Sequence, residues 1–308
     1  MERTFLTLGH GYSARVLARH LVERGWRVIG TTRTAEEAEK LSDTGVEMHV
    51  WPGCELEPLI SQASHVLLSA GPGEAGDPFL PHVVEALANE PPEWLGYLST
   101  VGVYGDHAGE WVDESTPLTP STKRGKLRVE AEQAWQALAA KADLPLHIFR
   151  LAGIYGPGRG PFAKLRAGTA RRIIKPGQVF SRIHVEDIAQ VLLASMEQPN
   201  PGAVYNVCDD NPAPPQDVIA HAGRLLRAGP GPGPVAPSNS PLPDLSTFGE
   251  IERQPIGEDL PGRRAGVEQR DDLSRELLDG VASRGRRGHE ERGLAVSAEA
   301  RPLERTEH

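Results

Sequence analysis

The sequence predicts an α/β protein: a doubly wound parallel sheet, followed by a small C-terminal lobe and an irregular tail. Three observations predict it. Short apolar runs and helical patterns alternate strictly over the first half of the chain, as they do when parallel strands are joined by crossover helices. The run at 65–69 is continuous in apolar character rather than alternating, as in a strand buried on both faces. A glycine-rich turn joins the first strand to the first helix.

The elements follow in order. Residues 5–8 form a first strand and 14–24 a helix with Val16, Leu17, His20 and Leu21 on one side. Residues 27–31 give a second strand, 35–41 a helix and 46–50 a third strand. A fourth strand spans 65–69, a helix 79–88 and a fifth strand 95–99. The long helix 126–142 leads into a sixth strand at 146–150. Beyond it the pattern loosens: a helix over 183–195 after a short strand, a strand at 203–207 and a helix at 216–227. The predicted organisation is a sheet domain over 1–160 that also receives segments near 180–207, a partial substrate lobe over 161–228, and a tail over 229–308. Residues 229–243 are dominated by Pro and Gly, as in a linker, and the sequence after about 262 is rich in Arg, Glu and Gly, so the tail is expected to be disordered. A diverged extension and a shifted reading frame would each leave such a tail.

Composition excludes several classes. The 308 residues carry a net charge of -9, from 42 acidic against 33 basic residues, which opposes binding to a phosphate backbone. Aromatics make up only 5 %, too few for extended base stacking. Cys54 and Cys208 are far apart and in no metal-ligand spacing, so reduced thiols are expected. The eleven histidines show no metal spacing either, and no metal is expected. No charged-then-apolar leader opens the chain, and no run approaches the ~18 apolar residues that span a bilayer. A cytoplasmic protein, monomeric or homodimeric, with a small-molecule ligand is expected.

The turn Gly9-His10-Gly11-Tyr12-Ser13-Ala14 reads G-x-G-x-x-[G/A]. The first glycine permits the tight turn, the second lets backbone approach a pyrophosphate, and small Ala14 lets helix pack on strand. Amide hydrogens and the helix dipole then favour phosphate. Right after an N-terminal strand, this is the fingerprint of a Rossmann domain for a nicotinamide dinucleotide. A carboxylate about 20 residues on would read the ribose of NAD. The second strand instead ends Gly30-Thr31-Thr32-Arg33, and Arg33 with Thr32 suits the 2'-phosphate of NADP; NAD is the alternative. Ser69-Ala70-Gly71, after the fourth strand, are expected beside the cofactor.

Three later motifs carry a resemblance. Leu98-Ser99-Thr100-Val101-Gly102-Val103-Tyr104-Gly105, Arg150-Leu151-Ala152-Gly153-Ile154-Tyr155-Gly156-Pro157-Gly158 and Arg182-Ile183-His184-Val185-Glu186-Asp187 resemble the extended short-chain dehydrogenase/reductase superfamily, in its epimerase/dehydratase branch, over about residues 4–227. The resemblance implies a Ser or Thr that orients the substrate oxygen, a Tyr that moves its proton and a Lys that holds the nicotinamide ribose, the last two as Y-x-x-x-K. On this sequence Thr100 is the hydroxyl residue and Lys126 the lysine, but Thr122 stands where the Tyr belongs. A threonine hydroxyl is too weak an acid to replace a phenol. Tyr104 is a candidate substitute, with a structural role in its loop as the alternative.

The same resemblance places Arg150, Tyr155 and Arg182 at the substrate pocket, with packing as the alternative for the first two. Asp187 reads as a helix cap or dipole partner, and His184 as a weak candidate base. The expected function is an oxidoreductase or epimerase/dehydratase-like enzyme on a small carbonyl or sugar-related substrate. A non-catalytic NADP(H)-binding sensor or regulatory module is the other reading, favoured by the missing Tyr.

Overall fold

The computed structural model describes residues 3–174 and 176–228. The linker and tail expected over 229–308, and with them the question of their origin, lie outside the described residues. The elements are β1 (Thr4–Leu8), α1 (Tyr12–Glu23), β2 (Arg27–Thr32), α2 (Ala35–Lys40), β3 (Val46–Val50), α3 (Glu57–Ile60), β4 (His65–Leu68), α4 (Leu80–Asn89) and β5 (Trp94–Thr100). There follow α5 (Lys123–Ala142), β6 (Leu146–Leu151), β7 (Gly153–Tyr155), α6 (Pro161–Arg166), β8 (Arg182–His184), α7 (Val185–Glu197), β9 (Val204–Val207) and α8 (Pro215–Ala228).

Seven strands form one sheet in the order β3-β2-β1-β4-β5-β6-β9, and every pairing is parallel. This is the doubly wound order, in which the chain reverses direction between β1 and β4 and opens a crevice at the strands' carboxyl ends. All residues of β1, β4 and β6 are buried, which explains their predominantly apolar, non-alternating character. Leu6, Leu8, Val66, Leu68, Leu95 and Ile148 of the sheet pack with Val83 and Leu87 of α4 and Trp135 and Leu138 of α5.

The described residues fall into two compact units. The first holds the described residues up to Gly153 and Ile183–Cys208, and the second the described residues of Ile154–Arg182 and those from Asp209 on. The first contains the seven-stranded sheet. Its helices α1 and α7 are tied by Glu186, which accepts from Arg19 at 2.6 Å and sits 2.8 Å from the His20 ring. In the second, Phe162, Leu165, Ala170 and Ala222 form a small core with Ile219, Leu225 and Leu226. β7 and β8 pair as a separate two-stranded sheet.

Four elements depart from the sequence reading for identifiable reasons. Helix α5 begins at Lys123 rather than 126, because Thr122 caps it by accepting from the Gly125 amide at 3.0 Å. Helix α7 is capped by His184, whose ring nitrogen accepts from the Glu186 amide at 3.3 Å. Asp187 therefore lies inside the first turn as a dipole partner and is not the cap. The short α3 and α6 each begin with Pro near their first position, a start signal that their brevity hides from periodicity.

Candidate functional site

The crevice at the carboxyl ends of β1, β2, β4 and β5 carries most of the sequence-derived residues. Gly9 has φ +90 and its missing side chain would lie 3.0 Å from the backbone nitrogen and Cβ of Ala70, so only glycine fits both conformation and space. Its amide donates to Thr31 Oγ1 at 2.8 Å, and the His10 amide to the Thr31 carbonyl at 2.7 Å. The first two amides of the turn are thus used by β2, and the Gly11 amide turns back to the Gly9 carbonyl at 2.8 Å. Gly11 itself is the N-cap of α1 with no side-chain cap, and nothing lies within 4 Å of where its Cβ would be. Space for a phosphate is present in front of the positive end of a 12-residue helix. Ser13 and Ala14 are buried at the helix–sheet seam, and Tyr12 is half-buried.

His10 faces the fold. Its ring nitrogen lies 2.8 Å from Thr7 Oγ1, and a Cβ on Gly30 would meet the ring at 2.9 Å. Burial, reinforced by the Arg15 charge, lowers its pKa to about 4, so it is neutral at pH 7. Its side chain therefore serves the packing of the turn.

The end of β2 adds a group that the sequence reading did not include. No carboxylate stands in Gly30-Thr31-Thr32-Arg33, but Glu37 of α2 folds back to accept from Thr32 Oγ1 at 2.5 Å and from Arg15 at 2.6 Å. The Thr32 bond and then Arg15 hold the Glu37 carboxyl below the usual range, with a smaller contribution from Arg33. Sequence reading missed it because Thr34-Ala35-Glu36-Glu37 is a capping-box pattern. The Thr34 half of that box forms, with its hydroxyl accepting from the Glu37 amide at 3.2 Å, while the carboxylate goes elsewhere. Arg33 is exposed.

Along the loop after β4, Ser69 donates from its amide to the Leu8 carbonyl at 3.0 Å, Ala70 packs on Gly9, and Gly71 is exposed. At the end of β5 the Thr100 hydroxyl accepts from the Gly102 amide at 3.2 Å. Lys126 is exposed in the first turn of α5. Thr122 is engaged as that helix's cap, and Gly125 packs so closely that a Cβ there would lie 2.8 Å from the Gly102 carbonyl.

Two candidates are sequestered. Tyr104 is 2 % exposed; its hydroxyl accepts from Arg150 at 2.7 Å and donates to Asn206 at 2.8 Å. Burial raises its pKa above the ordinary tyrosine value, the wrong direction for a neutral-pH proton donor and acceptor. Arg150, expected at a substrate, is 4 % exposed and pairs with Glu132 at 2.9 Å. Glu132 also accepts from the Ser99 hydroxyl. These groups hold the ends of β5 and β6 to α5 and to one another.

In the second unit Arg182 donates to the carbonyls of Phe180 at 2.8 Å and Ala213 at 3.1 Å. Burial lowers its pKa, with Asp209 and Tyr155 acting electrostatically in opposition. Tyr155 and Arg182 therefore do come together, with Asp209, whose carboxyl burial raises to about 6. Among the described residues no group of three His, Cys, Asp or Glu could hold a metal ion, and no helix is long and apolar enough to cross a membrane.

Strand order, glycine turn and open helix start together define a Rossmann-type fold, whose crevice is where such folds bind nucleotides. The family model described as "NAD dependent epimerase/dehydratase family" matches residues 81–208. Protein YeeZ of Escherichia coli K12 is 30 % identical over 215 residues, 65 % of this chain and 76 % of YeeZ. A solved structure of a functionally unknown conserved protein from Silicibacter pomeroyi DSS is 58 % identical with a TM-score of 0.69, covering 74 % of this chain and 79 % of that one. The dTDP-glucose 4,6-dehydratase of Bacillus anthracis, solved with NAD, shares the fold at 18 % identity and TM-score 0.62, covering 74 % and 82 %. This chain belongs to the NAD dependent epimerase/dehydratase family.

Proposed function

We propose that this protein is a cytoplasmic, nicotinamide-dinucleotide-dependent enzyme of the oxidoreductase or epimerase/dehydratase type, acting on a small carbonyl or sugar-related substrate. The observation that carries the reading is the uncapped start of α1 at Gly11, with open space in front of it and Gly9 packed on Ala70. Those residues fit a pyrophosphate, which would lie against the first turn of α1 with Ser69, Ala70 and Gly71 alongside. A bound nicotinamide ring would supply hydride transfer. Thr100 orients the substrate oxygen, Lys126 holds the nicotinamide ribose, and Arg182 with Tyr155 offers an anion-holding point in the second unit.

NADP is the proposed form. Arg33 is exposed at the end of β2, and Arg15 already neutralises Glu37, so a 2'-phosphate meets two guanidinium groups and one matched carboxylate. NAD is the competing reading, and Glu37 is the observation that favours it. Fluorescence titration of both dinucleotides separates them. NADP preference predicts that Arg33→Ala weakens NADP about tenfold or more and leaves NAD unchanged. If Glu37→Gln instead weakens NAD and Arg33→Ala changes nothing, NAD is the cofactor.

A non-catalytic dinucleotide sensor is the second reading, favoured by the engagement of Thr122 as a helix cap and the burial of Tyr104. Cofactor oxidation or product formation with a panel of carbonyl compounds and nucleotide sugars decides it. Tight binding with no turnover of any substrate assigns the sensor role.

A further inference from the structure

Helix α5 contributes a second buried arginine, besides Arg150 of β6. Arg128 is 6 % exposed. One terminal nitrogen, Nη1, donates to the Tyr97 hydroxyl at 3.0 Å and the Leu98 carbonyl at 2.8 Å, and the guanidinium lies 5.5 Å from the centre of the Tyr97 ring. Both acceptors are neutral. The Nε hydrogen is buried with no acceptor, and among the described residues no carboxylate is within ion-pair distance of this guanidinium. The other terminal nitrogen, Nη2, points at the loop after β4, where it would lie 3.0 Å from a Cβ on Gly71.

The buried arginine of β6 shows what is missing. Arg150 is buried to the same degree, but against Glu132. A desolvated guanidinium with only neutral acceptors is unfavourable unless an anion completes it. Gly71 lies directly after Ala70, which packs on Gly9 of the phosphate turn. Arg128 thus sits one loop away from that turn, on the side of β4 and β5, and the absent side chain at Gly71 keeps its Nη2 uncovered.

We propose that Arg128, rather than exposed Lys126, is the built cation of this crevice, and that its guanidinium takes a phosphate oxygen of the bound ligand across Gly71. The inference rests on the dinucleotide reading and adds a ligand-holding residue to it. A phosphate could come from the dinucleotide or from a nucleotide-sugar substrate, and separate probes distinguish them.

Wild type, Arg128→Lys, Arg128→Met and Gly71→Ala are titrated calorimetrically with NADP, ADP-ribose and UDP-glucose, and each variant is melted without ligand. The expected result is affinity about 10- to 100-fold weaker in Arg128→Met, as for a lost charge-assisted hydrogen bond, with partial recovery in Arg128→Lys. Gly71→Ala is expected to weaken binding too, because its methyl crowds Nη2. Loss with NADP and ADP-ribose assigns the contact to the dinucleotide; loss only with UDP-glucose assigns it to the substrate. A folded Arg128→Lys or Arg128→Met that binds all three as wild type does, with only its melting temperature lowered, overturns the proposal and leaves Arg128 as a strand-end brace. Wild type that binds neither NADP nor ADP-ribose overturns the dinucleotide reading itself, and this inference with it.

Discussion

Arg150→Met is the substitution that tests whether the ends of β5 and β6 are built for stability or for a ligand. Arg150 and Glu132 are 4 % and 1 % exposed. Nη2 of Arg150 lies 2.9 Å from one Glu132 oxygen, and Nε lies 3.3 and 3.2 Å from the two. Nη1 donates to Tyr104. Methionine keeps much of the stem's packing but leaves the Glu132 carboxylate with only the Ser99 hydroxyl among these polar contacts. Removing one partner of such a pair costs about 3–5 kcal/mol, a large part of the roughly 5–15 kcal/mol that holds a domain. With a urea m-value of about 2 kcal/mol per M, the unfolding midpoint falls by roughly 2 M. Replacing both residues with apolar ones recovers most of that loss, because the uncompensated charge is then gone. Urea titrations of wild type, both single variants and the double variant close the cycle. If Arg150→Met unfolds within about 1 kcal/mol of wild type while binding of the substrate is lost, the network is a ligand site and the structural assignment fails.

Further outcomes follow from the same geometry. His10 and His65 both have pKa values lowered from 6.5 to about 4, chiefly by burial; the unfolded chain therefore binds more protons between those values, and stability falls as pH drops through them, by roughly 2 kcal/mol per histidine at pH 5. Urea midpoints at pH 7 and pH 5 check this, and equal midpoints contradict it. Gly9→Ala forces a left-handed conformation against Ala70, which costs about 1–2 kcal/mol and should also abolish dinucleotide binding in titrations. Thr122→Ala removes the α5 cap and should lower stability by about 1 kcal/mol; turnover that drops with no change in melting would give Thr122 a role in chemistry.

The sheet was legible because its signal is redundant: β1, β4 and β6 are predominantly apolar and buried throughout, and each is followed by helix or loop. Gly9, Gly11 and Ala14 were legible because their spacing encodes backbone geometry. Glu37 was not, since its capping-box pattern describes a local partner and the carboxylate chose Thr32 and Arg15 instead. For Arg150 the sequence left substrate contact and packing both open, and only the fold shows Glu132 arriving beneath it from 18 residues away. Gly30 had no explanation in one dimension; its reason is the His10 ring.

Helix α5 shows why pattern and function part company. Its inward face runs Gly125, Arg128, Ala131, Glu132, Trp135, Leu138, apolar in its later turns and polar in its first ones. A stripe chosen for packing alone would place small or aliphatic residues at 128 and 132, since buried polar groups need partners that apolar ones do not. The two exceptions differ in how they are satisfied. Glu132 meets Arg150 and Ser99, so it is complete within the described residues and fixes strand ends. Arg128 meets two neutral oxygens and an empty side-chain position at Gly71. Where a buried charge is matched inside the fold, the fold accounts for it; where it is not, the site facing it is the place to look for the missing anion.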